Sequence, residues 1–448
     1  MNIRFRGWLC GMSFCILAPA VQAANWLMLQ GAEPAGSAAR AKVWGFIQPE
    51  YQYTQGTKLK AGPWKGQEAI FNQIGPDLKT SSQFNIRRAR IGVRGAGFPL
   101  DTKTNYFILV EAGNNGITKP GGGTGSLKLT DASITLNYIK GARIRIGQFK
   151  YPGSEEGLMA IHVFDYINFT NVTNGVLLER FVKFDGNCKG SNCPANKPLG
   201  SVNAFRDIGV QVFDTFKVRD WEHSYAVMIG NGNGITRSDN NSNKDVYLYW
   251  SSEKVFGGKG PRRQGWKLFG WYQHGTRTLT LEQGDADPAN DITRNFHRTR
   301  WGFGTTYRHG RYRAAAEYIK ADGMIRNGTD GAAVPGALAK NGAVASINVA
   351  PDEQADGWYI DGGYKLLPAL EIDARYDRFN RATKVSANER RFETFTLGAQ
   401  YFFNKKTRVI FNYEFRNAEA PNLPGSAGPN KVLDTLDDRA SLQLLAIF

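Results

Sequence analysis

Through much of the chain, apolar residues recur at every second position. At 437–448, Ala440, Leu442, Leu444, Ala446 and Phe448 alternate with Arg439, Ser441 and Gln443. At 406–417, Val409, Phe411, Tyr413 and Phe415 oppose Arg408, Asn412, Glu414 and Arg416. The segments 369–379, 391–404 and 127–140 repeat the pattern. A period of two belongs to a strand with one apolar face. Such segments predict sixteen strands, at 41–54, 83–95, 102–112, 127–140, 142–150, 205–217, 222–231, 244–255, 264–276, 296–309, 311–320, 354–367, 369–380, 391–404, 406–417 and 437–448. Tight turns fall at Lys140-Gly141, Val218 to Trp221, His309-Gly310, Leu367-Pro368 and Asn404-Lys405. Long links lie at 55–82, 113–126, 151–204, 277–295, 321–353 and 418–436. The link Gly257 to Arg263 is longer than a tight turn should be. Short turns alternating with long links predict an all-β, antiparallel up-and-down barrel.

A soluble barrel turns its apolar face inward and a membrane barrel turns it to lipid, so alternation alone fits both. Three features favour the membrane version. Residues 1–23 read as a cleaved signal peptide, with Arg4 and Arg6 before a short apolar run and Val21-Gln22-Ala23 as the cleavage site. The chain ends on Phe448 without a polar tail. This ending resembles the C-terminal signature by which the barrel-assembly machinery recognises bacterial outer-membrane barrels. Charged residues spread across the polar strand faces, as a hydrated lumen requires. The expected organisation is a signal at 1–23, a periplasmic N-terminal segment at 24–40 and a transmembrane barrel at 41–448, integral to the bacterial outer membrane. Link 151–204, the third on the external side, is too long for an ordinary surface loop and is expected to be functional.

Composition fits once the barrel is in view. Mean hydropathy is −0.40, with 42% hydrophobic and 21% charged residues, as a chain averaging a lipid face with a polar lumen should have. Glycine (51 residues) and aromatics (12%) are plentiful, which excludes a disordered chain, a coiled coil and a disulfide-dense miniprotein. No mature segment has the run of apolar residues that a transmembrane helix needs. Tyr51, Tyr138, Tyr307, Tyr376, Tyr401 and Phe448 sit near the ends of the apolar stripes, where aromatic girdles meet lipid headgroups. Signal removal lowers the formal charge from +16 to +14, with 54 basic residues against 40 acidic ones. Cys10 and Cys15 leave with it. Cys188 and Cys193 then remain in a Gly/Asn/Pro-rich loop, where a stapling disulfide is favoured. Two thiols with no histidine nearby make only half a zinc site, and no metal or cofactor is expected.

Several motifs point to a family. Phe84-Asn85-Ile86-Arg87-Arg88-Ala89-Arg90-Ile91 opens one strand, and Glu111-Ala112-Gly113 closes the next. Leu129-Thr130-Asp131-Ala132-Ser133-Ile134 leads to Arg143-Ile144-Arg145-Ile146-Gly147-Gln148-Phe149-Lys150-Tyr151-Pro152, and Arg206-Asp207-Ile208-Gly209-Val210 comes later. Together these resemble the phosphate-selective porin O and P family, most densely over 41–215. The resemblance implies sixteen strands, a homotrimer, a third loop that narrows the lumen, and a row of arginines conducting anions. It also places an arginine pair at Arg87-Arg88. After Tyr151-Pro152 this chain has Gly153 where the family has an aromatic or apolar residue. Glu155 and Glu156 then offset the nearby basic wall.

The candidate anion path is read from strand parity. Arg88, Arg90 and Arg94 oppose Ala89, Ile91 and Val93; Arg143 and Arg145 oppose Ile144 and Ile146; Arg298 and Arg300 oppose Trp301 and Phe303; Arg311 and Arg313 face away from Tyr312 and Ala314. Lys150 joins this set. Arg87 falls on the other face by strict parity, and a rim position or a bulge would reconcile it with the family pair. Guanidiniums stay charged and match oxyanions with a planar fork, and a row of them concentrates anions in a narrow lumen. Glu155, Glu156, His162 and Asp165 are the titratable residues of the constriction loop. His162, His297 and His309 read mostly as solvated or rim residues. The expected partners are small inorganic anions, outer-membrane lipid and lipopolysaccharide. Nucleic acid is set aside because the basic residues alternate along strands. The expected function is a passive outer-membrane porin for small anions, phosphate or a related oxyanion among them. A weakly selective general porin is the alternative. From other classes, a structural barrel and an enzyme barrel remain; the latter would draw on Ser154, His162 and Asp165, which match a catalytic triad by type only.

Overall fold

The computed structural model describes residues 26–34, 39–56, 58–61, 65–66, 82–96, 101–118, 126–178, 180–182, 198–235, 239, 241–258, 260–281, 292–328 and 347–448. The signal at 1–23 and the pair Cys188 and Cys193 lie outside the described residues.

Sixteen antiparallel strands close into one barrel, each paired with its neighbours in sequence. They are β1 (Lys42–Gly56), β2 (Ser82–Ala96), β3 (Thr104–Ala112), β4 (Lys128–Leu136), β5 (Arg143–Lys150), β6 (Arg206–Val218), β7 (Trp221–Gly230) and β8 (Asp245–Gly257), followed by β9 (Gln264–Leu281), β10 (Ile292–His309), β11 (Tyr312–Asp322), β12 (Gln354–Leu367), β13 (Leu370–Arg381), β14 (Arg390–Phe402), β15 (Thr407–Glu419) and β16 (Leu436–Ile447). Every expected strand is present. The ring shuts where β1 pairs with β16 in a register running from Phe46 opposite Ile447 to Thr54 opposite Arg439. There Phe448 N–H donates to the Gly45 carbonyl at 3.0 Å, and Gly45 N–H to the Phe448 carbonyl at 3.3 Å. A closed ring leaves no backbone edge in lipid.

The alternation resolves as a membrane barrel. Ile91, Ile108, Ile134, Ile146, Val210, Leu397, Phe411 and Leu442 point outward and are exposed, while their polar neighbours point inward. Tyr138, Tyr307, Tyr401 and Phe448 are exposed on the outer face as well. Short connections such as Gly310-Arg311 and Pro368-Ala369 gather at one end, which the porin pattern makes the periplasmic end.

Two of the long links carry small hairpins, Arg180–Val182 with Pro198–Val202 and Ile325–Gly328 with Ile347–Ala350. The interior is closely filled. Phe46, Phe107, Phe149, Phe213 and Ile319 are buried on the inner side, together with most inward polar residues. A barrel of this strand number is wide enough for an aqueous channel. Here residues 151–178 and 26–34 occupy much of that space.

Candidate functional site: the constriction

Residues 151–178 leave β5 at its external end and cross the lumen, fastened at both shoulders and along their length. Lys150 Nζ donates to the carbonyls of Gly157 (2.8 Å) and Met159 (2.7 Å), ending the short helix Glu155–Leu158. Glu317 on β11 accepts from Ser154 Oγ (3.0 Å), Glu155 N–H (3.2 Å), Trp271 Nε1 (2.8 Å) and the Tyr359 hydroxyl (2.9 Å). Glu155 pairs with Lys267 at 2.6 Å. Glu156 accepts from Thr170 Oγ1 at 2.6 Å and pairs with Arg375 at 3.3 Å. Farther along, Asn168 accepts from Arg87 at 3.0 Å and donates to Glu414 at 3.0 Å, and Asn171 donates to Asp377 at 2.8 Å. Most of these bonds join the loop to a distant strand, so the loop position is set by the whole ring.

At Asp165 the loop meets side chains from the periplasmic ends of three strands and from one turn. Among the described residues, four guanidiniums converge on its carboxylate: Arg262 from the β8–β9 link, Arg308 (3.4 Å) at the end of β10, Arg313 (3.3 Å) at the start of β11 and Arg408 (3.7 Å) at the start of β15. Burial opposes ionisation of Asp165, but the guanidiniums, Arg262 first, hold its carboxyl well below the usual carboxylate range. Arg313 also pairs with Glu371 at 2.9 Å and with Asp361 and Asp373. Tyr166 packs under the cluster, with the Arg375 guanidinium 4.3 Å from its ring centre. A cavity of about 100 Å³ remains beside this cluster, lined by Trp26, Glu155, Asp165, Lys267, Arg308 and Arg313 among others.

The residues expected in the anion path divide into three groups. Arg87 and Arg88 both point inward, 1% and 2% exposed. A register shift in β1 between Gln48 and Pro49 leaves Arg87 as the extra residue of a bulge, which brings Arg87 and Arg88 to the same side of the wall. Arg87 pairs with Glu50 at 3.3 Å, Arg88 donates to Gln48 at 3.1 Å, and Arg90 pairs with Glu111. Arg94, Arg143 and Arg145 form a second group, in contact with residues 26–34. Lys150 and Arg300 hold the loop, the latter donating to the Val176 carbonyl at 2.9 Å and to the Gly323 and Met324 carbonyls. Arg298 donates to Gln273 at 3.4 Å. Of the residues read from strand parity, Arg313 alone meets the convergence at Asp165, while Arg311 lies exposed in the turn before β11.

Three cations of that convergence were not singled out from sequence. Arg308 and Arg408 lie on the inward parity of their strands. Arg262 sits in the one turn whose length broke the pattern, and that extra length lets it reach the lumen. His162 is a correction. It does not sit in solvent at a rim but packs 5.4 Å from the ring centres of both Trp44 and Phe46. Burial, with Arg408 close by, pushes its pKa down to about 3. Ser154, His162 and Asp165 face separate partners, Glu317, an aromatic pair and four guanidiniums, so no triad assembles from them.

A closed sixteen-stranded barrel, apolar outside and crossed inside by its own third loop, is the architecture of an outer-membrane diffusion channel. The chain belongs to the Gram-negative porin family, whose family model matches residues 23–420. Its members are channels rather than enzymes. The fold is similar to that of OmpF of Salmonella typhi, solved in complex with daunomycin, at 14% identity and a TM-score of 0.52, covering 91% of this chain and 97% of that one. The outer membrane channel DcaP of Acinetobacter baumannii matches at 14% identity and a TM-score of 0.49, over 93% of this chain and 99% of that one. A loop-deletion mutant of OmpT of Vibrio cholerae matches at 11% identity and a TM-score of 0.49, over 91% and 99%. A search of curated protein sequences returned no match.

Proposed function

We propose that this porin passes small anions, phosphate-like oxyanions among them, by electrodiffusion past arginines at the constriction, and that it works as a homotrimer. The observation that carries the reading is the convergence of Arg262, Arg308, Arg313 and Arg408 on Asp165. Guanidiniums from three strands and a turn, gathered about one carboxylate, form a site shaped for an oxyanion. Arg262 and Arg308 are the most solvent-accessible of the four, so they are the ones a passing solute meets first. The resemblance of the Arg87-Arg88 and Gly147-to-Pro152 motifs to phosphate-selective porins supports the same direction.

A second reading, a weakly selective general porin, is favoured by one observation. Glu155, Glu156 and Asp165 are each paired with a wall cation, which brings the constriction near neutrality. Reversal potential across a planar bilayer under a KCl gradient tests both. Anion preference is expected, and Arg262→Glu combined with Arg308→Glu should abolish or reverse it. Cation preference in the unaltered protein would overturn the anion reading. Phosphate added to the chloride-conducting channel then separates the two: concentration-dependent block supports phosphate binding, whereas unchanged current leaves an unspecific pore.

A further inference from the structure

Residues 26–34 lie within the periplasmic half of the barrel, bound through their backbone. Arg143 on β5 donates to the carbonyls of Ala32 (2.7 Å) and Glu33, and Arg145 to that of Gln30 (2.7 Å). Asn105 on β3 donates to the Glu33 carbonyl at 2.6 Å, and Thr135 on β4 to the Gly31 carbonyl at 3.0 Å. The Glu33 carboxylate pairs with Arg94 on β2 at 3.0 Å and accepts from Gly31 N–H at 2.8 Å. At the other end, Trp26 Nε1–H donates to Glu155 of the constriction loop at 2.7 Å. Leu27, Met28 and Ala32 are buried in one apolar cluster with Phe107, Leu109 and Phe149. The segment therefore reaches from the β2–β5 wall to the loop.

Its backbone is shaped for this seat. Gly31 has φ +89°, and a Cβ there would lie 2.3 Å from the Cβ of Phe107. Only glycine meets both conditions, since the backbone is left-handed and the space is already filled. The wall cations that a passing ion would otherwise meet are occupied by peptide carbonyls and by Glu33. A wall that satisfies an inserted peptide at five of its residues is a binding surface for that peptide.

We propose that residues 26–34 are an internal strap that closes the β2–β5 side of the lumen, and that the wider conducting state is the one in which the strap has left this seat. The proposal rests on the channel assignment and is independent of anion preference. Its readout is conductance amplitude in symmetric KCl, which does not depend on the sign of selectivity. Three variants of the otherwise complete chain test it: deletion of 26–34, Gly31→Val, and Trp26→Ala combined with Glu33→Ala. Folding of each is checked by the heat-dependent shift of the barrel band in gels. The deletion and Gly31→Val should each raise single-channel conductance by about twofold or more, because open cross-section sets the current. The double variant should produce transitions between the original level and the higher one. Wild-type conductance, without a higher level, from any folded variant of the three would overturn the proposal.

Discussion

Glu317 holds the constriction loop by accepting four hydrogen bonds on its two oxygens. Ser154, the Glu155 N–H, Trp271 and Tyr359 all donate to it. In Glu317→Gln, one oxygen becomes an amide that faces donors, and at least one hydrogen bond is lost at a cost of about 0.5–1.5 kcal/mol. The expected outcome is a barrel that still assembles but melts at a lower temperature and carries noisier current, because the loop shoulder has come loose. An unchanged melting temperature and quiet current would mean that the other bonds fix the loop alone. This scale is also where sequence reading stopped short. Parity tells which side of a strand Arg88 and Arg90 take, but not whether the space opposite is filled. Both are consumed by Gln48 and Glu111, so reversing their charge would strand buried groups instead of testing selectivity. Arg262 and Arg308 are the informative positions, and finding them required knowing where Asp165 lands.

Strands were the most legible elements because lipid imposes the same demand on every one of them. Each outward residue must be apolar, so the period is written into each segment separately. β9 and β10 run past their expected ends, to Leu281 and from Ile292, because beyond the bilayer the outward face no longer has to be apolar. The loop and strap contacts were illegible for the opposite reason. They are made between residues far apart in sequence, and no local period encodes them. The closing seam offers a test at this scale. A Cβ at Gly45 would lie 2.3 Å from the Phe448 ring and 2.4 Å from the Arg90 carbonyl. Gly45→Val should therefore impede pairing of β1 with β16 and sharply reduce the heat-modifiable barrel recovered from the outer membrane. Wild-type yield from Gly45→Val would show that the seam tolerates the side chain.

For the whole molecule, the constriction is a balance of opposite signs. Residues 151–178 contribute Glu155, Glu156 and Asp165 and no lysine or arginine, while the wall facing them supplies Lys267, Arg375 and the four guanidiniums around Asp165. The loop is thus an acidic arm against a basic wall. Replacing 155–176 with a short Gly/Ser linker should leave ring closure intact, raise conductance and strengthen anion preference, since the removed charges are all negative. A shift towards cations would place the dominant field elsewhere in the lumen. Barrel closure and strand number were readable in the chain, whereas this balance depends on how far the loop descends.

The seam between β1 and β16 also bears on the order in which the protein is made. The strands that close the ring are the first and the sixteenth in chain order, so one edge of β1 waits for its partner until β16 has been made. A product missing its final strand would present two open edges, with unpaired backbone donors and acceptors that lipid cannot satisfy. A copy without β16 would stay an open sheet, exposed to proteases and to other strands.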